Sequence, residues 1–173
     1  GGVITNEANP ELSNLVVELS GGVGARLQGS SPMVIRDCSF ETTGIRGLQV
    51  DQPVAASNSS FKASDAAVYI DTNTDVQINF SNCEFKESLV GVNFINGAIE
   101  IFSSVIRNCG SGLLRSSIDS QVSVLIRNTE IKDCGFGIQA INGFISGSSI
   151  MTIQNCVVTS SLNGGIVIDN AWE

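Results

Sequence analysis

Six times in 173 residues the chain repeats one pattern of apolar alternation, at steps of 21, 24, 21, 25 and 27. Cys38, Ser59, Cys83, Ser104, Thr129 and Cys156 mark the register. Three residues before each marker stand Ile35, Ala56, Phe80, Ile101, Ile126 and Ile153. Five before stand Met33, Val54, Ile78, Ile99, Val124 and Met151, and two after stand Phe40, Phe61, Phe85, Ile106, Ile131 and Val158. Alternation with a period of two is a strand with one buried face. Strands this short, divided by corners of a few residues, read as the sides of one coil. A recurrence in the twenties marks a solenoid, whose coils bury their apolar faces on one another.

A third strand follows in each repeat. It opens on Gly47, Ala67, Gly91, Gly112, Gly137 or Gly165 and turns inward Leu48, Val68, Val92, Leu113, Ile138 and Ile166. Two residues on stand Val50, Ile70, Phe94, Arg115, Ala140 and Ile168, where Arg115 is the misfit and reads as a local break before a longer loop. Before the third strand, five after the marker, lies a small column of Thr43, Ser64, Ser88, Cys109, Cys134 and Ser161. The residue before the marker is Asp37, Asn58, Asn82, Ser103, Asn128 or Asn155, short polar side chains suited to a left-handed corner. Asn residues stacked on successive coils can also bond one another. Leu15-Val16-Val17 and Gly24-Ala25-Arg26-Leu27 fit a weak first coil. The expectation is one all-β domain over residues 1–173, a parallel solenoid of about seven coils with three short parallel sheets. Residues 1–14 are expected to form a cap or tail and residues 15–170 the coils.

The pattern I-x-I-x-N-C-x-F-x-x-C-x-x-G-I-x-V resembles the right-handed parallel β-helix, or pectin-lyase-like, superfamily over roughly residues 15–170. Right-handedness also agrees with the crossover rule for parallel strands. The resemblance implies that the G-I-x-V strand opens each coil, the strand ending in Asn is second and the C-x-F strand third. The superfamily includes pectate lyases, polygalacturonases, tailspike glycosidases and adhesins, and their catalytic patterns do not carry over. A Gly-His-Gly motif is impossible in a chain without His. Clustered Asp with a basic residue nearby, as a pectate-lyase-like site needs, is not evident around Asp71 and Asp75.

Irregularity gathers after the first strand, where inserts of three, seven, four, eight and ten residues separate Val50, Ile70, Phe94, Arg115 and Ala140 from the next strand's first inward residue. Loops on one edge of a repeat protein are where binding commonly gathers. The outward residues of the first strand run Gln49, Tyr69, Asn93, Leu114, Gln139 and Val167, with Asp51 and Asp71 at strand ends. Amides that donate and accept, and a ring face, suit sugar hydroxyls. Gln49, Asp51, Tyr69, Asp71, Asn93 and Gln139 are therefore the candidate carbohydrate strip, set against the plainer reading of a solvated sheet face. Asp51 and Asp71, one coil apart, are also suited to acid–base chemistry or, with Asp65 and Asp75, to a cation. Turn capping is the preferred role for them. No catalytic residue, metal or cofactor is expected.

A second outward column, Glu41, Lys62, Lys86, Arg107, Lys132 and Thr159, needs compensation. Glu84, Glu87, Glu130 and Asp133 are placed to supply it as an exposed ion-pair ladder. The rival, a grip on acidic polysaccharide, is opposed by a net charge of -8. That charge also disfavours nucleic acid, and no apolar run is long enough to span a membrane. The five Cys alternate with Ser and Thr in their columns, which reads as a demand for small size. They are expected to be free, buried and reactive only on unfolding, adjacent parallel strands being awkward for disulfides.

The functional expectation is a non-catalytic scaffold or adhesin-like domain of a secreted or cell-surface protein, its signal lying outside this chain, with a glycan as candidate partner. The alternatives are an incomplete or weak polysaccharide lyase or glycoside hydrolase of the same fold, and a phage or virus fibre domain. The chain reads as a piece of a longer protein or as one that self-associates through its last coil, with Trp172 as a plug the alternative.

Overall fold

A computed structural model describes residues 2–6, 10–72, 76–115, 122–140, 150–159 and 161–168. Among the described residues the regular structure is strand alone, in three parallel sheets. The first sheet holds β1 (Gly2–Asn6), β4 (Val23–Gly29), β7 (Arg46–Val50), β10 (Ala66–Ile70), β13 (Val90–Phe94), β16 (Ser111–Arg115), β19 (Phe136–Ala140) and β22 (Gly164–Ile168). The second holds β2 (Glu11–Ser13), β5 (Met33–Arg36), β8 (Val54–Ser57), β11 (Gln77–Ser81), β14 (Gly97–Phe102), β17 (Val122–Arg127) and β20 (Ile150–Gln154). The third holds β3 (Val16–Leu19), β6 (Ser39–Thr42), β9 (Ser60–Lys62), β12 (Glu84–Lys86), β15 (Val105–Arg107), β18 (Glu130–Lys132) and β21 (Val157–Thr159). Each strand pairs with the strand three places on, so the chain coils.

The apolar columns stack as the periodicity predicts. Met33 pairs Val54, Ile78 pairs Ile99 and Val124 pairs Met151 in the second sheet. In the third, Phe40, Phe61, Phe85, Ile106 and Ile131 follow one another in register and are wholly buried. The Phe40, Phe61 and Phe85 rings stack at 5.7 and 5.6 Å, and Phe80 meets Phe61 and Phe85 edge-on. Such pairs add to the burial of their area.

The corners explain the polar columns. Asp37, Asn58, Asn82, Ser103, Asn128 and Asn155 all have φ between 48° and 53°. Behind this left-handed residue, the marker side chain donates to the carbonyl two residues back: Ser59 Oγ to Ser57 O at 2.8 Å, Thr129 Oγ1 to Arg127 O at 2.9 Å, Cys38 Sγ to Arg36 O at 3.1 Å. Where it is a hydroxyl, it also accepts an N–H from the preceding coil, as Ser59 does from Cys38 at 3.1 Å and Ser104 from Cys83 at 3.1 Å. Interchange of Cys, Ser and Thr therefore reflects hydrogen bonding as well as size. One side-chain rung joins the corner column itself, Asn58 Nδ2 to Asp37 Oδ1 at 3.2 Å.

Residues 1–14, expected as a cap or tail, contain β1 and β2, which pair in register with β4 and β5. The weak sequence pattern there hid a rung that backbone pairing still completes. Three other expectations need correction. The small column slips by one residue in two coils: Thr42 and Ala63 are buried, while Thr43 and Ser64 face solvent. The later corners pass through an extra left-handed residue, Glu87, Asn108 or Asp133, and the earlier two do not. Arg115 is no break. It pairs with Phe94 and Ala140 within the first sheet and is 1% exposed, and burial lowers its pKa. Finally, four of the five free Cys are buried, but Cys156 is half-buried.

The outward face of the third sheet carries the expected ion pairs. Lys86 bridges Glu41 at 3.4 Å and Glu84 at 3.2 Å; Arg107 meets Glu84 at 2.7 Å, Lys132 meets Glu130 at 2.9 Å, and Lys62 meets Glu87.

Candidate functional site

The first sheet sets a column of outward side chains in strict register. Arg26, Gln49, Tyr69, Asn93, Leu114, Gln139 and Val167 are successive partners. Neighbouring rungs lie about 4.8 Å apart. Arg26, Gln49, Tyr69, Asn93 and Gln139 each sit between two buried apolar residues of their own strand, as Gln49 does between Leu48 and Val50, so burial of those neighbours turns them away from the core.

At the N-terminal half of this face the side chains form one network. Asp51 Oδ2 accepts from Arg26 Nη2 at 3.2 Å, Arg26 Nε at 3.3 Å and Gln28 Nε2 at 3.0 Å. Gln49 Nε2 reaches Asp51 Oδ1 at 3.4 Å, and Arg46 Nη1 donates to Gln49 Oε1 at 2.7 Å. The Arg46 guanidinium lies over the Tyr69 ring, 3.5 Å from its centroid. Burial and then the Asp71 carboxylate push the Tyr69 phenol above its ordinary pKa, so it stays protonated at neutral pH.

Of the predicted strip, the structure joins Gln49, Asp51 and Tyr69 in that network and stands Asn93 on the next rung. Asp71 follows Asp51 by one coil, since Asp51 N–H donates to Leu27 O and Asp71 N–H to Val50 O, and it is exposed. Gln139 stands apart: Leu114 intervenes in the column, and Gln139 Oε1 accepts from Ser111 Oγ at 3.1 Å. Asp75 lies outside the described residues, and so do parts of the longest inserts. Among the described residues no group of three acidic or Cys side chains gathers where a metal could sit.

Arg26, Gln28 and Arg46 were not read from the sequence as members of the site. A signal for Arg26 existed: in Ala25-Arg26-Leu27 it alternates with two inward residues, one coil before Gln49. The weak first coil masked it. Arg46 gives no such signal, because only the fold lays its guanidinium on the next strand's ring.

The arrangement dictates a chemistry. The Asp51 carboxylate accepts from donors on two coils, so it organises the network. One face of Tyr69 is taken by Arg46. What remains for a ligand is a flat set of amide, guanidinium and phenol groups spaced by the sheet. A family model described as right handed beta helix region matches residues 1–101, more than half of the chain. No curated protein and no solved structure matches the chain.

Proposed function

The chain belongs to the right-handed β-helix family, and from that premise we propose that it is a non-catalytic scaffold of a secreted or surface protein whose first-sheet face contacts carbohydrate. The observation that carries this reading is the network from Arg26 through Asp51 and Gln49 to Arg46 and Tyr69. It holds donors and acceptors in fixed positions on a rigid sheet, so little side-chain entropy remains to be lost on binding. Amide and guanidinium groups bond hydroxyls, and the sheet repeats them along one line, as a chain of sugar residues would need. Commitment of Asp51 to four donated hydrogen bonds favours binding over hydrolysis, because a general acid or base must have an oxygen within reach of the substrate proton.

The test is a glycan array probed with the whole chain, repeated with Tyr69→Ala and Asp51→Ala. Binding to a defined glycan set that falls about tenfold or more in each variant is the expected result. Absence of any bound glycan, or binding indifferent to both substitutions, overturns it. Release of reducing ends or unsaturated sugar from a bound polysaccharide moves the chain to the lyase or hydrolase reading.

A further inference from the structure

Cys109 and Cys134 hold the same place in successive coils, 25 positions apart. Each follows a left-handed corner residue, Asn108 at φ 55° and Asp133 at φ 54°. They are 4% and 1% exposed. Asn108 N–H donates to Lys132 O at 3.3 Å and Gly135 N–H to Cys109 O at 2.9 Å, so the coils are bonded together on both sides of the pair. Each thiol also lies 3.3 Å from the carbonyl two residues back, Arg107 O or Lys132 O, which sets both sulfurs on one inward side. The two side chains lie close enough for each to shift the other's ionisation. No other two Cys are so placed: Ser59 separates Cys38 from Cys83, and Cys156 stacks on Thr129.

We propose that Cys109 and Cys134 are a site of reversible oxidative modification, closing a disulfide between two coils. The pair sits at a corner, outside the flat strands where registered side chains are held parallel. Its backbone spacing of about 4.8 Å lies within the Cα separations that disulfides bridge. A small peroxide is the oxidant. The Cys134 thiolate attacks one peroxide oxygen, the O–O bond breaks, Cys134 becomes a sulfenic acid, and the departing hydroxide takes up the proton that Cys134 lost on ionising and leaves as water. The Cys109 sulfur then attacks the sulfenic sulfur. The S–S bond forms, the S–O bond breaks, and hydroxide takes up the Cys109 proton to leave as a second water. Cys134 is the attacking thiol because the adjacent Cys109 side chain lowers its pKa against the opposing effect of burial. The same interaction, and then burial, push Cys109 well up. A dithiol reductant reverses the step. The bridge encloses the coil that carries the insert between Arg115 and Val124 and pins it to its neighbour.

The experiment is titration of the native chain with hydrogen peroxide, read by intact mass and by a non-reducing peptide map. Half-buried Cys156 reports that oxidant has been delivered. The expected result is a loss of about two mass units, a single peptide link between Cys109 and Cys134, reversal by dithiothreitol, and a thermal midpoint raised by several degrees. Cys109→Ser and Cys134→Ser each abolish the mass loss. Serine already stands at the equivalent Ser88, so both variants keep the fold, which far-UV circular dichroism checks. Oxidation of Cys156 with no Cys109–Cys134 link overturns the proposal. So does a link joining other pairs or two molecules, or a mass loss that persists in either Ser variant.

Discussion

A left-handed backbone residue separates strand from strand at one corner of every coil, and Asn128, with φ 50°, is representative. A side chain with Cβ costs about 1–2 kcal/mol in that conformation, a cost that Asn partly offsets through local hydrogen bonds and Gly avoids. Asn128→Ala is expected to lose about 1 kcal/mol in urea denaturation, and Asn128→Gly clearly less. Loss in both alike would mean that the Asn side chain, not the backbone, sets the corner. Gln52 poses the opposite case. It is wholly buried, and neither its amide nitrogen nor its amide oxygen has a partner. A buried unsatisfied polar group costs about 1–3 kcal/mol, so Gln52→Met, which keeps the length of the side chain, should raise the thermal midpoint. The Asn column was legible because a polar residue recurs where the alternation stops. Gln52 was not, because an amide after a strand reads as a loop residue until the next coil covers it.

The aromatic ladder and the ion-pair ladder lie on opposite faces of the same third sheet, and they should respond to different perturbations. Phe61 stands between Phe40 and Phe85 and also meets Phe80. Phe61→Ala would leave a cavity open to both neighbouring rungs, and about 4 kcal/mol of lost stability is expected. On the outer face, burial opposes ionisation of Glu84, but Arg107 and Lys86 outweigh it and its pKa is lowered. A carboxyl whose folded pKa is depressed contributes stability above its unfolded value of about 4.3, and the contribution disappears as pH falls through the folded pKa. Glu84→Gln should therefore cost about 0.5–1 kcal/mol at pH 7, the range of an exposed pair. The difference from the native chain should shrink as the urea midpoint is followed to pH 3. A difference independent of pH would assign the loss to packing. Both ladders were visible as columns in the sequence. The slip that exchanges Thr43 and Ser64 for Thr42 and Ala63 was not, since two small residues in succession look alike until a left-handed corner is present or absent between them.

Stability in a solenoid is a sum over neighbouring coils, so protection should vary along the chain. Ile78, Phe80 and Phe85 are buried to 1% exposure or less, whereas Met151, Ile153 and Val158 in the equivalent columns are only partly buried. Amide exchange over β20 and β21 is expected to outpace that over β11 and β12, measured by hydrogen–deuterium exchange on the 173-residue chain. Uniform protection would require a single cooperative unit. At this scale the sequence by itself determined the coil, its three sheets and the apolar columns that face inward, because period-two alternation repeated in the twenties stacks like on like. Tertiary structure alone decided how the side chains of the first-sheet face join. Arg46 meets Tyr69, and Arg26 with Gln28 holds Asp51, only across coils. Those contacts join residues some two dozen positions apart, through long side chains whose directions are chosen by the neighbours they find.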